Sequence, residues 1–347
     1  MKFRSQIALA LALFAATCAA APPTDELVIL NWAEYLDPVV VADFERAQRV
    51  RVRVVEFEDD DDRDRLLLST NGDGYDLAIV NDSLVKSYRA RGLLAPVTPK
   101  EVPNLQHIET RWADQFPAAH GYAVPYFWGT IGIAYRRDLL PHAPTSWMDL
   151  LQPAPELRGR IAMFTSQRET IGVALKALGH SLNSVDGAAI DSATKLLVEQ
   201  RPYVRAYEMA ILDENSDLVR GDISMRMMYS GDALMVKEYN DNIEYIVPSE
   251  GTALWVDFLV VLSGTRRPAL AYAFINHIND PANAAANAAF VNYATPNSAA
   301  ARLMPEAYAS DPVIHPSPEI LHKSEAFADL PPRALKQRNL AFARILH

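Results

Sequence analysis

Residues 27–35 read LVILNWAEY. Leu27, Val28, Ile29 and Leu30 are four consecutive apolar residues, the short run that a strand buried on both faces requires, and the run stops at Asn31. Trp32, Ala33, Glu34 and Tyr35 therefore fall just past the carboxyl end of a strand. Asp37 and Pro38 follow as an N-cap and a first helical position, and Val39, Val40, Val41, Ala42 and Phe44 give the next helix its apolar face. In an open α/β sheet, ligands bind in the crevice outside the strands' carboxyl ends. An aromatic, acidic, aromatic cluster there suits an organic cation, because rings offer negative π-faces and a carboxylate offers charge. Taken alone, the stretch reads equally as two core aromatics and a solvated loop acid.

Outward from this stretch, Arg51 to Phe57 alternates Val52, Val54 and Phe57 with polar neighbours, which predicts a second strand. Glu58 to Asp62 are five consecutive acids. They lack the central glycine and terminal glutamate of a calcium loop, and read as a solvated, dipole-favoured start to a helix reaching about Leu68. Asn71 to Gly74 is a turn and Tyr75 to Val80 a third strand; Asn81, Asp82 and Ser83 open a helix through Arg91. Strand, helix, strand, helix, strand describes a doubly wound α/β sheet.

At 347 residues the chain exceeds the roughly 250–300 at which single cores stop growing, so two domains are expected. Ala123 to Tyr135, AVPYFWGTIGIAY, is apolar and strand-like and reads as the first crossover between them. A second α/β unit follows: a strand at Arg160–Phe164, a polar loop at Thr165–Arg168 containing Ser166, and a helix from Glu169 to Leu178. Then come a helix at Ile190–Leu197, a strand at Ile223–Tyr229, and Ser230, Gly231 and Asp232 as the turn and cap of the next helix. Ile243–Val247 and Leu254–Leu262 are strands, Arg267–Ile278 and Ala282–Val291 helices, and Tyr293–Asn297 a loop before a helical tail.

Lys2 and Arg4 followed by uncharged Ile7 to Ala21 and then Pro22 and Pro23 predict a secretory leader over residues 1–21, too short to span a bilayer, which takes about 18 apolar residues or more. The only cysteine, Cys18, lies inside it, so cleavage beyond it leaves no thiol; lipid attachment at Cys18 is the competing reading, and Ala15, Ala16 and Thr17 match a lipoprotein signal poorly. The expected product is an exported, periplasmic monomer. Loss of Lys2 and Arg4 takes the formal charge from −10 to about −12, which argues against nucleic-acid or anionic-lipid partners.

There is no GxSxG elbow, phosphate loop, GxGxxG or HExxH, and the histidines lack metal-ligand spacing, so no enzyme, metal or cofactor is expected. What remains are acids and aromatics at strand ends. Asp257 in LWVDFLVVL is the sharpest, since an ionised carboxylate in an apolar strand is costly unless a cation pairs with it. An internal salt bridge to an arginine is the alternative. Trp255 shares its face.

Six motifs stand in order: NWAEY, YDLAIVNDS, AVPYFWGTIGIAY, YSGD, LWVDF and NYATPN. In this the chain resembles the periplasmic putrescine/spermidine-binding proteins of ABC importers over nearly all of residues 22–347. The resemblance implies a two-lobed fold with the ligand in the cleft, lobe one comprising 22–130 with 251–300 and lobe two 131–250 with 301–347. It implies a polyamine ligand, putrescine-like rather than spermidine-like, delivered to a membrane ABC permease. Trp32, Tyr35, Tyr229, Trp255 and Tyr293 would box the methylene chain. Glu34, Glu169, Asp232 and Asp257 would hold the ammonium ends, with Ala33, Asn81, Ser83 and Ser166 lining the site. Tyr229 stands where tryptophan is usual, Ala33 where a hydroxyl residue is common, and Arg168 adds a positive charge beside Glu169.

Overall fold

The computed structural model describes residues 25–57 and 60–346. The leader, Cys18, and Glu58 and Asp59 of the acidic run therefore lie outside the described residues, as does the side chain of Ser83. Strands run Glu26–Trp32 (β1), Arg51–Phe57 (β2), Leu77–Asn81 (β3), Ala123–Arg136 (β4), Ile161–Met163 (β5), Val204–Tyr207 (β6), Met225–Tyr229 (β7), Ile243–Ile246 (β8), Ala253–Val261 (β9) and Glu325–Ala326 (β10). Helices of eight residues or more run Pro38–Gln48 (α1), Asp60–Thr70 (α2), Asp82–Ala90 (α3), Gln167–Ala177 (α4), Gly187–Gln200 (α5), Ser230–Lys237 (α6), Pro268–Ile278 (α7), Pro281–Val291 (α8) and Pro332–Leu346 (α9).

The strands follow the order β2-β1-β3-β9-β4-β7-β5-β6, with β10 beside β9 and β8 beside β4. β1 pairs in parallel with β2 and β3, and β5 in parallel with β6 and β7, as expected for doubly wound units. Between them β9 runs antiparallel to β3 and β4, and β4 antiparallel to β7, while β10 pairs with β9 in parallel. β4 carries the join: Ala123 to Thr130 pair with β9, whereas Ile131 to Arg136 pair with β7 and β8.

The opening stretch behaves as its composition dictates. Leu27 to Leu30 are buried, with Leu27 and Ile29 packed against Val40, Phe44 and Phe274 on one face and Leu30 against Val80 and Phe258 on the other. Asp37 caps α1 by accepting from the Val39 N–H at 2.8 Å, and Pro38 is the first helical residue. A third core, around Ile131, Trp147, Ile161, Ile171 and Leu197, fills the second half and takes Phe342 and Ile345 from α9. Tyr308 and Ile314 of the tail pack instead with Leu30 and Phe258.

Two local expectations need correction. α4 starts two residues before Glu169, which becomes the third helical residue. α6 starts at Ser230 with Tyr229 as its N-cap, so Asp232 lies within the first turn and is not the cap. Its carboxylate accepts from the Tyr293 hydroxyl at 2.6 Å, a partner 61 residues away that local helix chemistry does not reveal.

Candidate functional site

β9 places the central pair. Along its nine residues only Trp255 and Asp257 keep partial exposure, as alternation demands of two residues on one face beside an opening. Asp257 stands opposite Asn81 of β3 on one side and Phe127 of β4 on the other. The Tyr35 hydroxyl donates to Asp257 Oδ2 at 3.1 Å. Tyr35 is held in turn: Tyr126 donates its hydroxyl to the Tyr35 carbonyl at 2.8 Å, and buried Asn287 of α8 donates to Tyr126 while accepting from the Asp37 N–H.

The rings form a connected line. Tyr35 and Tyr293 centroids lie 6.0 Å apart, Tyr293 and Trp255 4.8 Å, Trp255 and Tyr229 5.8 Å, and Tyr229 and Phe164 4.8 Å. The line crosses from the β9 half of the sheet to the β7 half. Two glycines permit it: a Cβ on Gly231 would lie 2.5 Å from the Tyr293 ring, and one on Gly129 2.6 Å from the Trp255 ring. Trp32 is outside this line and packs at a tilt against Phe57, with the ring centroids 4.3 Å apart. Ala33 and Glu34 are exposed, with Glu34 in a left-handed turn at φ 52°.

Three carboxylates flank the rings. Asp257 is pushed up to about 7, first by desolvation and then by the nearby Asp60 charge, against the Tyr35 bond that lowers it. Asp232 is raised to about 6 by desolvation, opposed by the Tyr293 hydrogen bond. Desolvation also raises Glu169, opposed by Arg168 and by a hydrogen bond from exposed Ser166, and its Oε2 has no partner. None of the three forms an ion pair with a lysine or arginine among the described residues. Such an arrangement raises the cost of ionisation and leaves it to be offset by an external cation.

Arg168 acts on Glu169 through space. It makes a 2.8 Å ion pair with Asp82 at the start of α3 and lies 4.1 Å over the Phe327 ring. Asn81 donates to Asp60 at 2.8 Å. Asp60, Phe164 and Tyr126 were not singled out by the sequence. Asp60 has no signal separating it from the adjoining acids, whereas the two rings sit in motifs whose apolar pattern reads as core.

The profile of the bacterial extracellular solute-binding proteins matches residues 40–316. The spermidine/putrescine-binding periplasmic protein of Salmonella typhimurium is 27% identical over 325 residues, spanning 92% of this chain and 90% of that protein. The norspermidine sensor of Vibrio cholerae is 28% identical over 290 residues, 82% of this chain and 79% of its own. Among solved structures, a spermidine/putrescine ABC transporter substrate-binding protein from Streptococcus pneumoniae superposes with a TM-score of 0.83 at 28% identity, covering 93% of this chain and 99% of that one. No helix among the described residues is long and apolar enough to cross a membrane. With its two-lobed α/β fold and the matching family profile, the chain belongs to the bacterial extracellular solute-binding proteins and is a binding protein, not an enzyme.

Proposed function

We propose that the protein captures a short polyamine, a putrescine-like diamine ahead of spermidine, and presents it to a membrane ABC permease. The observation that carries this reading is the set of Glu169, Asp232 and Asp257, three acids that form no ion pair with a lysine or arginine among the described residues, beside a line of five rings. Tyr35, Tyr229, Trp255 and Tyr293 would hold the methylenes, and the acids the ammonium groups; Asn81, Ser83 and Ser166 would line the site, with Trp32, Ala33 and Glu34 at its rim. The relatives named for spermidine, putrescine and norspermidine support the same ligand class.

The lobe division we propose keeps crossovers near residues 130 and 250, where β4 changes partner and β9 begins. The tail past about residue 325 goes with lobe two, because α9 packs on α4 and α5, while Tyr308 and Ile314 lean on lobe one. Ligand groups from both lobes favour the closed form, so binding shifts a hinge equilibrium. Adding putrescine is expected to compact the protein in small-angle scattering and to raise its melting temperature with ligand concentration; identical free and bound envelopes would contradict hinge closure.

The preference for a short ligand rests on Thr165 to Arg168, which carry no carboxylate. An unpaired buried ammonium costs several kcal/mol, more than the roughly 1 kcal/mol by which the large Trp255 ring favours a longer chain. Ser166→Asp is therefore expected to narrow or reverse the putrescine preference. Competitive titration of both amines decides it, and an unaltered ratio would show that position 166 does not limit ligand length.

The similarity to a norspermidine sensor favours a second reading, in which the loaded protein reports to a membrane receptor. Uptake of labelled putrescine by cells with and without the protein separates the two: import lost on deletion supports transport, and unchanged import supports sensing.

A further inference from the structure

Asp60 occupies a position that the reading above leaves unused. It is the first residue of α2, and its side chain is 53% exposed. One oxygen, Oδ1, accepts from Arg63 at 2.6 Å, and Arg63 is itself buried, lying over the Phe57 ring. The other, Oδ2, accepts from Asn81 at 2.8 Å, and Asn81 is the residue directly opposite Asp257 in the β3–β9 pairing. The carboxylate is thus fixed at both oxygens, one strand away from the proposed ammonium site. Asp60 is also close enough to Glu169 and Tyr229, on the opposing half of the sheet, to act on both through space. Glu169 is nine-tenths buried and its Oε2 has no partner. An acid held rigidly on one wall and an unsatisfied buried acid on the other define a second place for positive charge at the Asp257 end of the rings.

We infer that Asp60 sets how well a third ammonium group is tolerated: from the opposing wall it offsets part of the cost that the carboxylate-free Thr165–Arg168 loop imposes. This rests on the polyamine reading and deepens it, making Asp60 a specificity-determining residue for the number of charges on the ligand. A diamine satisfies Asp257 and Asp232 and gains little from Asp60. A triamine places an additional nitrogen between Asp60 and Glu169, where a charge-assisted hydrogen bond is available to it alone. Arg63 already offsets part of the Asp60 charge, and the Asp60 side chain is half in water, so the gain is moderate.

The test is calorimetric titration of the full-length mature protein and of Asp60→Asn with putrescine and with spermidine. The expected result is a loss of about tenfold in spermidine affinity against less than about threefold for putrescine. Asp60→Glu, which keeps the charge, should restore the parental ratio. Because the readout is a ratio of two affinities within one protein, partial misfolding cancels, and Asp60→Ser serves if the asparagine variant does not fold. Equal losses for the two amines, or none, would overturn the role of Asp60. A parent protein that binds neither amine would instead overturn the polyamine reading itself.

Discussion

Asp257→Asn is expected to weaken diamine binding by well over tenfold while leaving the protein folded. The substitution keeps the side chain's shape and an oxygen able to accept from the Tyr35 hydroxyl, and removes only the charge. A hydrogen bond to a charged group contributes roughly 1.5–3 kcal/mol, which corresponds to a factor of about ten to a hundred and fifty. The free protein should not suffer. At neutral pH and above, the ionised Asp257 is a desolvated carboxylate with no ion-paired lysine or arginine among the described residues, so asparagine should leave the melting temperature of the unliganded form equal or higher. Calorimetry with putrescine and a thermal melt of each protein check both halves. Unchanged affinity would remove Asp257 from the site, and collapse of the fold would show it to be structural.

The second large effect is on pH. Asp257 titrates at about 7 and Asp232 at about 6, both above the ordinary aspartate value near 3.8 because burial penalises their charged forms. Asp257 faces Asp60 and Asp82, which raise it, and Tyr35 and Arg63, which lower it; Asp232 faces Tyr293 and Arg226, which lower it. The folded state therefore holds protons that the unfolded chain releases between about pH 4 and 7. These two groups make the free protein less stable as pH rises through that window. A bound ammonium reverses the balance by favouring the ionised forms. Binding should then release protons below about pH 7, and affinity should climb as pH rises. Between pH 5 and 8 the climb should be on the order of a thousandfold, about two factors of ten from Asp257 and one from Asp232. Titration of putrescine across that range, in buffers of different ionisation enthalpy, measures both the affinity and the protons released. A flat profile would mean that neither acid meets the ligand.

Much of the proposed site is legible in sequence because it is local. An apolar run ending at Asn31 marks a strand end just before Tyr35, and a lone acid in LWVDFLVVL singles out Asp257 for either an external cation or an internal salt bridge. The parts that stayed hidden depend on contacts distant in sequence. Asp232 reads as a cap because its neighbours are those of a helix start, and only the fold brings Tyr293 to it. Arg168 reads as a positive charge beside Glu169, and only the fold brings it to Asp82, 86 residues away. Asp60 lies in a run of like charges in which local pattern cannot distinguish one acid from the next. Val204–Tyr207 passed unnoticed as a strand because it is four residues long and no residue in it is fully buried, leaving no alternation to detect.

The central claim is that the cleft recognises positive charge at both ends of a short flexible chain. Calorimetric titration with putrescine and with 4-aminobutyrate, which has the same four-atom span but a carboxylate in place of one ammonium, tests it most directly. Micromolar binding of putrescine with no measurable binding of 4-aminobutyrate is the predicted result, because Glu169, Asp232 and Asp257 would repel the carboxylate from either end. Equal or tighter binding of 4-aminobutyrate would contradict it.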